Sequence, residues 1–278
     1  MSTTKKIWLL PLCLIVPGLL GLLLSVLGEV TDLGGYQNKA PRSWEKFDEI
    51  LVTETPDFSA MTNRLDGSFT PSLTDQEKMF VIYDLVIHRF THNNQAKYNI
   101  FSNWLLWAMG KIVPPLSFVR SPDILLKSGH SALCGSQAYV LQSLAESYGI
   151  PTRRVGMNGH VVMEAWYKND WHLYDPDLEV IPLTESKRIL SLDELARSPE
   201  LVRKYYAGRG SSEYVDSVVE IVSSREDNSF ELYWMIDKHV AYRAEKIGNI
   251  GKWFIPLILL LAGIWIYIAK NRKSDGAP

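Results

Sequence analysis

Three side chains in the middle of the chain have the types, and the order, that nucleophilic catalysis requires. Cys134, His160 and Asp175 all lie within the stretch Ser128–Asp177. A cysteine thiolate can attack a carbonyl carbon, a histidine can take up and return the proton, and a carboxylate can orient the imidazole ring. The other cysteine, Cys13, lies in an apolar segment, so the sequence predicts no disulfide framework and leaves Cys134 as a free thiol.

The helix that must carry Cys134 is predicted to run from about Ser131 to Tyr148. Its apolar residues recur at spacings of three and four, at Ala138, Leu141, Ala145 and Tyr148. We expect Ser131 to cap the start, and Gly149 followed by Pro151 is a stop signal. Cys134 then lies in the first turn, where free backbone N–H groups and the helix dipole favour a thiolate over a thiol.

The histidine and the aspartate are predicted to lie on an antiparallel meander of short strands. The strands are 152–157, 160–167 and 171–175. Asn158-Gly159 is a strong hairpin signal because both residues tolerate positive φ, and Asn169-Asp170 is a weaker one. The meander is expected to pack on the cysteine helix.

The strand register decides which carboxylate can reach His160. If Asn169-Asp170 is a two-residue turn, Glu164 lies opposite Asp175, and His160 shares their face because it is four residues from Glu164. A flat ladder would separate His160 from Asp175 by four residues, roughly 13 Å along the strand. A bulge, a longer turn or a strong twist must close that distance, so Glu164 remains an alternative partner. His172 falls on the opposite face.

These residues together resemble a known superfamily. Cys-Gly-Ser-Gln-Ala at 134–138 begins a helix, Gly-Ile-Pro-Thr-Arg at 149–153 follows it, and Tyr-Asp-Pro stands at 174–176. The pattern is similar to the transglutaminase-like superfamily, whose α+β fold resembles that of papain-like cysteine proteases. The resemblance implies Cys134 as the nucleophile, His160 as the general base and acid, and Asp175 as the residue that orients His160. The link from Arg154 to His160 is shorter than the family pattern, which leaves little room for a loop over the site.

The chemistry that the resemblance implies is acyl transfer or hydrolysis at an amide bond. The oxyanion would lie near the Cys134 N–H, with Trp104 or Trp107 as candidates for the second donor. The substrate would be a protein or a peptide, with hydrolysis weakly preferred to cross-linking. Two alternatives stay open: a buried cysteine is often an inert core residue, and the family includes non-catalytic members that serve as binding or structural modules.

Composition excludes some classes of function. The net charge is −2 and the pI is about 6.3, so no basic surface for nucleic acid is expected.

His88 and His92 lie four apart, a spacing that can bind metal on a helix, but no carboxylate motif accompanies them. We therefore expect no metal and no organic cofactor.

Two apolar segments predict that the chain is anchored in a lipid bilayer. Residues 7–28 and 250–270 are uncharged except at Lys252 and Lys270, and each is near the roughly 20 residues that a span requires. Lys5 and Lys6 precede the first segment, and Lys270, Arg272 and Lys273 mark the end of the second, which predicts that both termini are cytoplasmic. A cleaved signal peptide is the alternative for the first segment.

The remaining chain is divided by composition. We predict a linker and irregular segment at 29–73, the transglutaminase-like core at 74–180, a helical extension at 181–249 and a tail at 271–278, with residues 1–6 before the first span. Capping boxes begin helices at Thr74 and Ser191. The apolar run Ile100–Val113 is expected to be a buried helix beneath the cysteine helix, with docking at the membrane interface as second choice. Residues 230–247 are expected to be helical. Anchoring in a bilayer also allows partners in a membrane assembly, for which the sequence carries no specific motif.

Overall fold

The computed structural model describes residues 3–30, 38–93, 96–157, 159–224 and 238–274. Within these ranges the chain is α+β, which confirms the predicted fold class. The helices are α1 Thr3–Val30, α2 Glu49–Glu54, α3 Phe58–Ser68, α4 Asp75–Arg89, α5 Ile100–Ile112, α6 Pro122–Ser128, α7 Cys134–Ser147, α8 Leu192–Ala196, α9 Pro199–Tyr206, α10 Ser212–Ser224 and α11 Lys238–Ser274. The strands are β1 Thr91–His92, β2 Ser131–Ala132, β3 Thr152–Met157, β4 His160–Tyr167 and β5 Asp170–Tyr174.

The chain divides into two compact units. The first, which we call the helical unit, comprises residues 1–35, 97–118 and 241–278. The second, the α+β unit, comprises residues 36–96 and 119–240 and contains every strand among the described residues. Both units draw on separate stretches of the chain.

The helical unit contains the two apolar helices that the sequence predicts. Leu9–Glu29 in α1 and Arg243–Arg272 in α11 are long and apolar enough to cross a membrane, by length and composition. They pack through small residues, since a Cβ at Gly18 would lie 2.8 Å from the Leu260 backbone nitrogen. Ser25 also donates a hydrogen bond of 2.6 Å to the Lys252 carbonyl. Such close backbone approach is typical of helix pairs in membranes.

The apolar helix α5 also belongs to the helical unit. We expected it beneath the cysteine helix, but it packs against α1, where a Cβ on Gly28 would lie 2.6 Å from the Ser102 carbonyl oxygen. Trp104 donates its indole N–H to Ser25 at 3.0 Å. The expectation was wrong because an apolar face carries no information on which apolar neighbour it will meet.

The α+β unit is built on an antiparallel sheet in the order β3-β4-β5. Helix α7 packs against β3 and β4 and also contacts α4. A separate apolar cluster joins the sheet to α8, α9 and α10, with Val162 and Leu173 from the strands and Leu195, Val202 and Val218 from the helices. Strand β4 therefore packs against α7 and also contributes to the cluster with α8, α9 and α10.

The capping boxes predicted at two helix starts are confirmed, whereas part of the segment predicted as irregular is helical. The capping boxes at Thr74 and Ser191 begin α4 and α8, although α4 ends at Arg89 and not near His92. Part of the stretch predicted as irregular forms α3, because Asp57 accepts a hydrogen bond from the Ala60 N–H at 2.8 Å. Of the helix predicted at 230–247, residues 230–237 lie outside the described residues, and 238–247 lie in α11.

Candidate active site

Cys134 is the first residue of α7. The N-cap is Leu133, whose side chain makes no capping hydrogen bond. Ser131, which we expected to be the cap, lies instead in β2, where its hydroxyl is 2.6 Å from that of Thr91. Because the first N–H groups of a helix have no partner within the helix, those of Cys134 and Gly135 remain beside the thiol. They are the natural donors to a developing oxyanion.

The turn between β4 and β5 lies one residue earlier than predicted. Tyr167 pairs with Asp170, and the turn residues are Lys168 and Asn169, with φ of 52° and 64°. Positive φ at both central positions is the geometry of a type I′ hairpin, and asparagine tolerates it well. The prediction that Asn169 and Asp170 form the turn was therefore wrong.

The observed register brings Asp175 within reach of His160. Extending the ladder one step beyond the Met163–Tyr174 pair sets Asp175 beside Val162, so the offset from His160 is two residues instead of four. Diagonal neighbours of this kind have side chains close enough to touch. His160 Nε2 lies 2.7 Å from Asp175 Oδ2, and the Asp175 side chain is fully buried.

Cys134 lies close to the His160 ring. The sulfur and the closer imidazole nitrogen lie within 4.8 Å of each other, and both residues are 7% exposed. Since Nε2 faces Asp175, Nδ1 is the nitrogen left for the sulfur. Burial alone would lower the pKa of His160, but Asp175 and the contact with Cys134 outweigh it and raise the pKa well above its usual value.

The Asp175 carboxylate is held by further hydrogen bonds. Tyr206 donates its hydroxyl to Oδ2 at 3.0 Å, and the Leu178 N–H donates to Oδ1 at 3.1 Å. Burial and the nearby Asp175 charge raise the pKa of Tyr206 well above its usual value, so it remains a hydroxyl donor. These donors hold the carboxylate in place, and the carboxylate in turn fixes the direction of the His160 ring.

A second carboxylate, Asp177, lies on the thiol side of the site. Its carboxylate lies close to both Cys134 and His160. One ligand atom from each of these three residues lies within 4.8 Å of the other two, and all three residues are buried. Asp177 Oδ1 is 2.6 Å from His92 Nδ1 and accepts a hydrogen bond of 3.3 Å from Gln137 Nε2. Sequence reasoning missed Asp177 and the role of His92. The Asp-Pro-Asp spacing at 175–177 was the available signal.

The other sequence candidates lie elsewhere. Glu164 is fully buried, but its carboxylate binds Arg153 at 2.6 Å and accepts the Leu192 N–H at 2.8 Å, so it is not the partner of His160. The indole N–H of Trp104 is bonded to Ser25, and the Trp107 ring lies 5.0 Å from the Lys111 amino group. Both indole contacts are internal to the helical unit.

His172, which was expected on the opposite face from the triad, makes its own separate contacts. Its Nδ1 is 2.9 Å from the Ile189 carbonyl oxygen, and its Nε2 is 3.1 Å from that of Tyr167. Both ring nitrogens therefore face backbone carbonyl oxygens and not the Cys134 thiol.

Comparisons with known proteins identified no relative of this chain. Scans against models of protein families, against curated proteins and against solved structures found no match for this chain. The geometry of Cys134, His160 and the two aspartates is therefore the feature that indicates a function.

Proposed function

We propose that this chain is a membrane-anchored cysteine enzyme with a transglutaminase-like core, acting on amide bonds of a protein or peptide. The observation that carries the proposal is the arrangement around His160, which has one ring nitrogen within 4.8 Å of the Cys134 sulfur and its Nε2 at 2.7 Å from Asp175 Oδ2. A thiol at a helix start, paired with a histidine that a buried carboxylate orients, is the arrangement that nucleophilic catalysis by cysteine requires.

The proposed reaction runs in two steps. The Cys134 thiolate attacks the amide carbonyl carbon, the C–N bond breaks, and the His160 imidazolium gives its proton to the leaving amine. Water or an acceptor amine then attacks the thioester, His160 takes a proton from it, and the Cys134 thiolate leaves. The N–H groups of Cys134 and Gly135 stabilise the oxyanion in both steps.

The transglutaminase-like core is proposed on sequence order and element order together. Helix α7 begins with Cys134 and is followed by β3 and β4, and β4 begins with His160. Asp175 stands directly after β5. This succession agrees with the motifs at 134–138, 149–153 and 174–176 that carry the resemblance.

We propose that both apolar helices span a bilayer, with both termini in the cytoplasm and the α+β unit on the other side. The support is the length of the two apolar stretches and the basic residues at their outer ends, Lys5 and Lys6 before the first and Lys270 and Arg272 at the end of the second. The substrate would then be met near the membrane surface.

Alkylation by iodoacetamide tests the proposed nucleophile. The experiment uses the full chain in detergent with Cys13→Ala, so that Cys134 is the sole thiol. We expect labelling near neutral pH to be faster than for a free thiol, and His160→Ala to slow it roughly tenfold or more, because the imidazolium partner of the thiolate is lost. Asp175→Asn should also slow it, whereas Glu164→Gln should change the rate little.

The same measurement tests the alternative that the chain is a non-catalytic peptide-binding module. The exposed fraction of Cys134, 7%, favours this alternative. In that case Cys134 would stay unlabelled until the chain is unfolded, and His160→Ala would have no effect on the rate. That outcome would remove the enzyme proposal. Labelling of the native chain by a thiol-directed amide probe, followed by substrate profiling, would identify the substrate class.

A further inference from the structure

The Cys134–His160–Asp177 cluster has the composition of a transition-metal site. It offers a thiolate, an imidazole nitrogen and a carboxylate oxygen, each from a different side-chain type and all within 4.8 Å of one another. We propose that these three residues bind a single Zn²⁺ ion, which reversibly blocks the Cys134 sulfur. As an inhibitory device, this rests on the proposed function; as a binding site, it does not.

The spacing of the three atoms suits a small tetrahedral ion. Zinc lies about 2.0–2.3 Å from nitrogen, oxygen and sulfur ligands, so ligand atoms around it stand roughly 3.3–3.8 Å apart. Atoms that already lie within 4.8 Å of one another need only small side-chain movements to reach that separation. A fourth position would remain for water.

The outer contacts of the cluster are those that metal ligands require. A histidine ligand usually gives its other ring nitrogen to a carboxylate, and His160 gives Nε2 to Asp175 at 2.7 Å. His92 and Gln137 both contact the Oδ1 oxygen of Asp177. The other carboxylate oxygen, Oδ2, is the one that would bind the ion.

Zinc binding would displace the proton that the catalytic pair shares. In the thiolate–imidazolium pair, Nδ1 of His160 carries that proton, and Zn²⁺ can take this nitrogen only when the proton leaves to solvent. Protons and Zn²⁺ therefore compete for this nitrogen and for the Cys134 sulfur. The ion would occupy both the nucleophile and the base, and catalysis would stop.

A direct binding measurement tests the proposal. The full chain with Cys13→Ala, freed of metal by a chelator and held in detergent, is titrated with Zn²⁺ against a chromophoric chelator. Titration with Co²⁺ reports the ligands, because tetrahedral thiolate coordination produces visible and charge-transfer absorption. We expect one Zn²⁺ per chain, loss of binding in Cys134→Ala, and weakening by at least 10–100-fold in Asp177→Asn, the range that even outer contacts cost.

Two matched variants separate the site from other histidines. His92→Gln should weaken Zn²⁺ binding by roughly tenfold, because His92 holds the Asp177 carboxylate. His88→Gln should leave the affinity unchanged, since His88 contacts Asp84 on the outer part of α4. Absence of saturable binding, or binding that survives Cys134→Ala, would overturn the proposal.

The two proposals fail in different ways. Rapid alkylation of Cys134 without stoichiometric Zn²⁺ binding would leave the enzyme standing and remove the metal site. Stoichiometric Zn²⁺ binding to a chain whose metal-free thiol stays inert to iodoacetamide would remove the enzyme and leave a metal site. If both proposals hold, Zn²⁺ should protect Cys134 from alkylation in proportion to its occupancy, and a chelator should restore the labelling.

Discussion

His160 is held between an anion on one ring nitrogen and a sulfur near the other. The Asp175 carboxylate receives donors from Tyr206 and from the Leu178 N–H, so it does not rotate away from the ring. The sequence predicted the order cysteine, histidine, aspartate because the signals for each residue are local along the chain. The Asp-Pro-Asp spacing places Asp177 near Asp175 along the chain, but its approach to Cys134 depends on the loop that follows β5.

The ionisation of His160 makes a prediction about stability at the residue scale. Its pKa in the folded chain is raised, so its protonated form stabilises the fold. That contribution is fully present below the unfolded value of about 6.5 and is lost as the pH rises through the raised folded value. The stability difference between wild type and His160→Gln should therefore shrink with increasing pH.

Thermal unfolding of both proteins in the same detergent, at several values between about pH 6 and pH 9, provides the measurement. Taking the difference between the two proteins removes the contribution of most other titrating groups. A difference that stays constant or grows towards alkaline pH would show that His160 is buried in its neutral form.

At the scale of elements, the β4–β5 hairpin determines which acid reaches the histidine. The sequence predicted both strands, since alternation and turn residues are local signals, but it misplaced the turn by one residue. The observed turn at Lys168 and Asn169 halves the offset between His160 and Asp175. Glu164 pairs instead with Arg153 across the β3–β4 ladder, which keeps the competing carboxylate from His160.

The turn conformation makes a prediction that belongs to this scale. Asn169 has φ of 64°, a left-handed conformation that costs a β-branched residue about 1–2 kcal/mol. Asn169→Val should lower the unfolding temperature, by about 2–4 °C for each kcal/mol, whereas Asn169→Gly should be neutral or stabilising. Equal effects of both substitutions in a thermal unfolding experiment would contradict the type I′ assignment.

At the scale of the whole molecule, residues distant in sequence make up each unit. The helical unit combines α1, α5 and most of α11, and glycines allow the helices to approach closely. A Cβ at Gly263 would lie 3.0 Å from the Pro11 carbonyl oxygen, and one at Gly248 would lie 2.3 Å from the Leu106 side chain. This packing agrees with two spans that cross a bilayer side by side.

The proposed topology makes a prediction for single cysteines introduced by substitution. In a chain with Cys13→Ala and Cys134→Ala, we place one cysteine at Ala40, Glu200 or Asp275 in turn. A membrane-impermeant maleimide should label the first two positions on intact cells and the third only after permeabilisation, because the basic residues stay in the cytoplasm. Protection at position 200 would overturn the orientation and place the α+β unit in the cytoplasm.

Features that depend on neighbours along the chain could be predicted from the sequence. These are the apolar spans, the capping boxes, the helix that begins near Cys134 and the strands that follow it. Tertiary structure alone decided which unit takes α5, which carboxylate meets His160, and that Asp177 and His92 join the site. The physical reason is that side-chain type and periodicity specify an element and its apolar face. The partner of that face, and the register between strands, depend on packing between residues far apart in sequence.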